Sequence, residues 1–101
     1  MSDRLNLIRQ FNAFNVKRIG RLKPTAVALY FTLLDIANRA SFDGGVIPSF
    51  HVDNERLLKL SGIANLRTLR LHRNELVNAG FISYHKGARG QPSLYRLFKL
   101  Y

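Results

Sequence analysis

The sequence predicts a small α+β domain in which helices precede a β-hairpin. Residues 65–80 combine a helix-start signal, apolar residues at helical spacing and a glycine stop signal. Residues 81–85 and 93–97 are β-prone and flank a Gly-rich turn. A short helix-forming segment and a Gly-containing turn come before them. This order predicts a winged helix-turn-helix: a three-helix core, a small β-hairpin wing and an extra N-terminal helix.

The length and composition indicate one folded domain. The chain has 101 residues, of which 47% are hydrophobic and 22% are charged, which is typical of a globule with a modest core. We expect residues 1–21 to form the N-terminal helix and a basic connector. Residues 22–101 are expected to form the winged helix-turn-helix domain.

The charge balance predicts a polyanionic partner. Lysine and arginine number 16 against 6 acidic residues, a net charge of +10, which favours binding by attraction and counterion release. This number alone leaves duplex DNA, RNA and an anionic membrane surface open. We expect no membrane span and no signal peptide, because no apolar run is long enough, and therefore a cytoplasmic protein.

Metal and catalytic chemistry are not expected. The chain has no cysteine, and its histidines, His51, His72 and His85, are far apart in the sequence. The acidic residues are dispersed, and no nucleophile or phosphate-loop pattern is present. We therefore predict that the protein is not an enzyme and has no cofactor.

Residues 3–16 are predicted to form a short amphipathic helix. Leu7, Phe11 and Phe14 fall on one stripe, with Ile8 beside it. The stripe either packs on its own domain or forms a homodimer contact with a second copy.

A basic run follows this helix. Such a run is either a solvated connector or an arm that lies along a phosphate backbone, so Lys17 and Arg18 are candidate DNA contacts.

The next helix is predicted to start at Pro24 and to run through Asn38. It is apolar nearly all round, so the core covers one side and the N-terminal helix or a partner subunit covers the other. Residues 41–45 are predicted to form a loop and residues 50–52 a small strand.

Asp53 is predicted to cap a second helix over residues 54–60. Ile63 should anchor the turn that follows. The residues expected to face inward on this helix are Leu57, Leu58 and Leu60.

The helix that begins after Asn65 is the candidate recognition helix. Asn65 can cap it, Gly80 can end it, and its core positions are Leu66 or Leu69, then Leu76 and Val77. Arginine can bridge guanine, asparagine can bridge adenine, and leucine can touch a thymine methyl group in the major groove. The alternative is a basic face that only keeps the helix soluble. The predicted DNA contacts are Asn65, Arg67, Thr68, Arg70, Leu71 and Asn74.

The turn between the two β-prone segments is the candidate wing. Lys86, Arg89 and Gln91 can lie on a flanking phosphate or enter the minor groove; the alternative is an ordinary hairpin loop. Tyr84 and Tyr95 are expected to pair across the hairpin, or else to stack on unpaired bases.

Two residues of the candidate recognition helix are expected to be structural. Arg73 lies near the core positions, and a buried arginine needs a partner. We therefore predict an ion pair with Asp35, Glu55 or Glu75, or carbonyl capping. His72 is expected to be a half-buried packing residue.

Residues 22–30, 53–57 and above all 73–82 together resemble the N-terminal winged-helix domain of phage replisome organisers and DnaD-like primosome proteins. The resemblance implies binding of double-stranded DNA at a replication origin, self-association, and recruitment of a helicase loader or helicase. Lys23 departs from the Ser or Thr helix cap of such sequences, and the chain ends after the last strand. The alternatives are a transcriptional regulator on the same fold and a small phage protein that binds a host replication protein.

Overall fold

Residues 7–40 and 49–101 are described by the computed structural model of the chain. They form an α+β arrangement of helices on one small sheet, which confirms the predicted class. Predictions for residues 3–6 and 41–48 lie outside the described residues. The elements in chain order are α1 (Leu7–Arg18), α2 (Pro24–Ala40), β1 (Ser49–Val52), α3 (Asn54–Ser61), α4 (Leu66–Asn78), β2 (Ile82–His85) and β3 (Ser93–Leu97).

The sheet is antiparallel, with strand order β1-β3-β2. The predicted hairpin is confirmed as β2 and β3, which place Tyr84 opposite Tyr95. The two rings lie 5.1 Å apart, so the predicted tyrosine pair is confirmed. On the other side of β3, Phe50 is opposite Tyr95, and these rings stack at 5.9 Å. Aromatic contacts therefore run across all three strands on one face of the sheet.

The core is centred on α2. Leu29, Tyr30 and Leu33 are fully buried, and α2 contacts α3, α4 and the sheet. Its remaining apolar side is covered by α1 of the same chain, because the ring of Phe14 stacks on Tyr30 at 3.7 Å and Phe11 stacks on Phe31 at 5.2 Å. The helix within predicted segment 1–21 is thus packed into the same core as α2 and the elements that follow it.

The predicted helix boundaries are held by side-chain caps. The Asp53 carboxylate accepts a hydrogen bond from the Arg56 amide at 2.7 Å, and Asn65 accepts one from Thr68 at 2.9 Å. Gly80 follows the end of α4 with φ +81°. This left-handed conformation suits glycine and closes the helix with a turn back onto α4. These predictions are confirmed.

Two residues that were predicted to face inward, Leu60 and Val77, are exposed instead. Leu60 is 52% exposed and lines a surface cavity together with Ile36 and Ala40 of α2. Val77 is 37% exposed. At about 100° per residue it lies beyond the edge of the side of α4 that carries the buried residues Leu69, Arg73 and Leu76. Among the described helices, none is both long and apolar enough to span a bilayer.

Candidate nucleic-acid interface

One side of α4 packs against the domain and the other faces solvent. Four residues are buried, namely Leu69, His72, Arg73 and Leu76, and at about 100° per residue they occupy one continuous side of the helix. The opposite arc is exposed and holds four of the six residues of this helix and its cap that were predicted to contact DNA. This exposed arc consists of Arg67, Arg70, Leu71, Asn74, Val77 and Asn78.

The exposed arc of α4 carries no acidic side chain. The single acid of α4, Glu75, lies outside the arc. Its Oε1 lies 2.7 Å from Nδ1 of His72, within hydrogen-bonding distance. His72 is only 5% exposed, so it is more deeply buried than predicted. The arc therefore combines two arginines with uncharged residues, a combination that suits a polyanionic surface.

The residues predicted to contact DNA near the start of α4 differ in how exposed they are. Asn65 is exposed, and its Oδ1 is engaged as the helix cap. Thr68 is half-buried and falls at the edge of the packed side, away from Arg67 and Arg70. Leu71, by contrast, is 55% exposed and lies within the arc.

The hairpin loop, residues 86–92, presents the second predicted set. Lys86, Arg89 and Gln91 are all exposed. Together with Asn54 at the start of α3 and the Tyr84 side chain, they line a cavity of about 520 Å³. The loop thus faces an open cleft with polar and basic walls.

Gly87 fixes the shape of this loop. A Cβ at Gly87 would collide with the backbone carbonyl oxygens of Gln91 and Pro92. The Gly87 amide donates to Oγ of Ser93 at 3.2 Å, and the Gln91 amide donates to the Ala88 carbonyl at 2.8 Å. The loop is therefore closed on itself, and only glycine permits that approach.

Arg73 is buried, as predicted, but the predicted carboxylate partner is wrong. Its Nη1 donates to Oδ1 of Asn54 at 2.8 Å and to the Tyr95 hydroxyl at 2.9 Å, while its guanidinium lies 4.0 Å from the Tyr84 ring centroid. Its Nε has no hydrogen-bond partner. Burial raises the pKa of Tyr95, while the hydrogen bond and charge of Arg73 lower it. Arg73 thus joins α3, α4 and the hairpin.

Lys17 lies beside the C-terminal end of α4, and Arg18 is the next residue of the chain. They belong to the last turn of α1, and Nε of Arg18 donates to Oδ1 of Asn15 at 2.9 Å. Lys17 lines a cleft beside Gly80 together with Arg21 and Lys99. The structure therefore does not bring Lys17 and Arg18 to the first turn of α4, where base contacts are expected.

The predicted dimer stripe is split by the fold. Phe14 is fully buried within its own domain, so its assignment to a dimer surface is wrong. Leu7 and Phe11 remain 38% and 41% exposed. They line an apolar groove of about 470 Å³ between α1 and α2.

Sequence reasoning missed Gln10. This residue has no exposed surface, although glutamine in a surface helix ordinarily faces water. Its Nε2 donates to the Tyr30 hydroxyl at 2.8 Å and to the Phe98 carbonyl at 2.9 Å, and its Oε1 accepts from the Leu100 amide at 3.0 Å. Gln10 therefore pins residues 98–100 to α1, which no local pattern signals.

Within residues 7–40 and 49–101, no three His, Cys, Asp or Glu side chains come together as metal ligands. Comparison of the chain with protein-family models, curated proteins and solved structures gives no match. The chemistry of the exposed surfaces is therefore the basis for a functional assignment.

Proposed function

We propose that this chain is a winged-helix module that binds double-stranded DNA, with α4 in the major groove and the hairpin loop on the flanking backbone or minor groove. The observation that carries the proposal is the exposed arc of α4. The arc carries two arginines and no acidic residue, and the one acid of the helix, Glu75, lies outside the arc in contact with His72. An α-helix fits into the major groove of B-form DNA.

The side chains of the arc match the chemistry of base edges. Arg67 and Arg70 can each donate a pair of hydrogen bonds to guanine O6 and N7, and Asn74 can bridge adenine N6 and N7. Leu71 offers an apolar contact for a thymine methyl group. Lys86 and Arg89 of the hairpin loop add charge for phosphates beyond the site that α4 reads.

The arrangement of elements supports the winged-helix assignment. Helix α3, a short turn and helix α4 precede a hairpin, and β1 pairs with the hairpin's second strand. The role in replication initiation is proposed from the sequence resemblance of residues 73–82. A transcriptional regulator would use the same surface, and the identity of the preferred DNA site distinguishes the two.

Fluorescence anisotropy with labelled duplex, single-stranded and random-sequence DNA over a salt series tests the proposal. If the protein neutralises n phosphates, the logarithm of its affinity for duplex DNA should fall with a slope of about −0.9n against the logarithm of salt concentration. Charge reversal by R67E together with R70E should abolish duplex binding.

The matched control is R39E together with R96E. Both residues are exposed: Arg39 pairs with Asp35 on α2, and Arg96 alternates with buried Tyr95 and Leu97 on β3. The control changes net charge equally and should weaken binding far less. Equal losses in the two double variants, or unchanged binding in R67E/R70E, would overturn the major-groove assignment.

The apolar groove between α1 and α2 favours a protein partner as a second function. A second copy of this chain and a helicase loader or helicase are the partners that the resemblance suggests. Sedimentation equilibrium of the wild type and of F11S addresses self-association. A wild type that stays monomeric at high concentration rules out the homodimer.

A further inference from the structure

Three cationic residues from two segments of the chain line one cleft at the C-terminal end of α4. Lys17 comes from the last turn of α1, Arg21 from the turn that follows it, and Lys99 from the segment after β3. With Gly80 and Phe81 they line a cleft of about 340 Å³. None of the residues that line this cleft is acidic. We refer to it as the cation cleft.

The fold holds Lys99 in this position. The residues on either side of it, Phe98 and Leu100, are both hydrogen-bonded to the buried Gln10 side chain. The Phe98 amide also donates to the Phe81 carbonyl at 3.1 Å, which extends the hairpin pairing beyond β3. The Lys99 ammonium lies 4.8 Å from the Tyr101 ring centroid, at the distance of a cation–π contact. Lys99 therefore reaches the cleft from a fixed backbone.

From this geometry we propose that the cation cleft is a seat for a backbone phosphate of duplex DNA, distinct from the surface that reads bases. Three like charges in one cleft with no acidic side chain in its lining repel one another, and an anion in the cleft relieves that repulsion. A phosphate group presents oxygens that accept from both ammonium and guanidinium donors.

The length of α4 indicates which DNA phosphate would lie at the cation cleft. Its 13 residues span about 20 Å, whereas the major groove is about 12 Å wide. If α4 is set across the groove with its first turn at the base edges, its last turn extends past the groove and lies beside the phosphate backbone at the edge. The cation cleft lies at that last turn. This inference rests on the proposed function, since it presupposes that α4 enters the groove.

The test is the variant K17Q/R21Q/K99Q, compared with R39Q/K59Q/R96Q, which removes the same charge from exposed positions elsewhere. Duplex affinity is measured by anisotropy over a salt series, on both a preferred and a random sequence. The cleft variant should flatten the salt slope by about 0.9 for one lost phosphate and lower affinity by the same factor on both sequences. The control should change the slope less.

If the cleft variant matches its control while R67E/R70E still abolishes binding, the phosphate seat is wrong and the proposed function stands. If the wild type binds no duplex DNA, both the phosphate seat and the proposed function are wrong. A change in affinity confined to the preferred sequence would also overturn the seat, because a phosphate contact carries no sequence information.

A second measurement separates a DNA phosphate from free phosphate. Inorganic phosphate is titrated into ¹⁵N-labelled wild type and cleft variant, and the amide signals of Gly80 and Lys99 are followed by NMR. Shifts only in the wild type, together with the loss of DNA salt slope, support the seat. Saturable phosphate binding without any effect of the variant on duplex affinity would make the cleft a free-phosphate site and overturn the DNA assignment. Thermal melting of each variant confirms that the comparison is between folded proteins.

Discussion

The guanidinium of Arg73 lies 4.0 Å from the centroid of the Tyr84 ring, with Arg73 95% removed from solvent and no carboxylate bonded to it. A buried cation without a counter-ion carries a desolvation cost. Here the face of one tyrosine, the hydroxyl of another and the Asn54 amide oxygen offset that cost. The contact fixes the hairpin against α4. It therefore sets the position of the hairpin loop relative to the exposed arc of α4, the two surfaces proposed to bind DNA.

Replacing Arg73 should reveal this structural role. R73A leaves Asn54 and Tyr95 without their donor and removes the packing on Tyr84, so we expect a loss of about 2–3 kcal/mol in the free energy of unfolding. R73M fills the space without a buried charge and should lose less. Urea denaturation measures both. A drop in DNA affinity with no loss of stability would instead assign Arg73 to the binding surface.

Asn65 can be tested separately as a cap and as a DNA contact. N65A should lower the free energy of unfolding by about 1 kcal/mol, because the Thr68 amide loses its acceptor. N65D keeps an acceptor at the same place and favours the helix dipole, so its stability should match the wild type. Its added negative charge should nevertheless weaken duplex binding. Unchanged binding in N65D would show that Asn65 only caps the helix.

Gln10 should stabilise the segment that follows β3. Q10A removes the partner of Tyr30, Phe98 and Leu100, and we expect a loss of about 2–3 kcal/mol in the free energy of unfolding. Amide hydrogen exchange of Leu100 should also accelerate. N12A, at an exposed position of the same helix, is the control. Equal effects of both variants would mean that the Gln10 contacts contribute nothing specific.

Alkaline pH should destabilise the fold through Tyr30. Burial raises the pKa of Tyr30 from 10.0 to about 12, against the lowering effect of the Gln10 hydrogen bond. Between these values the unfolded chain releases the phenolic proton and the folded chain keeps it, so stability falls as the pH rises. The contribution is complete below pH 10 and is lost by about pH 12, on the order of 2–3 kcal/mol.

Y30F isolates this titration. At pH 7 the variant should be less stable by about 1 kcal/mol, since Gln10 loses an acceptor. Between pH 10 and 12 its unfolding free energy should decline less steeply than that of the wild type. Urea denaturation at several pH values gives both curves, and parallel curves would refute the assignment to Tyr30.

Local patterns predicted the elements that short-range chemistry controls. Asp53, Asn65 and Gly80 mark helix ends because capping and the left-handed turn depend on neighbouring backbone groups alone. The tyrosine pair followed from the alternation of the two strands around a glycine-rich turn. Leu60 and Val77 were misassigned because periodicity does not tell which apolar residues of a short helix its neighbours cover.

The sequence by itself determined the α+β class, the helix caps, the hairpin and the excess of positive charge. The tertiary structure alone decided which groups from distant segments meet: it paired the buried Arg73 with two tyrosines and an asparagine, and it brought Lys99 to Lys17 and Arg21 beside Gly80. The physical reason is distance along the chain. A cap or a turn is set by residues within one helical turn, whereas these clusters depend on how helices and strands pack.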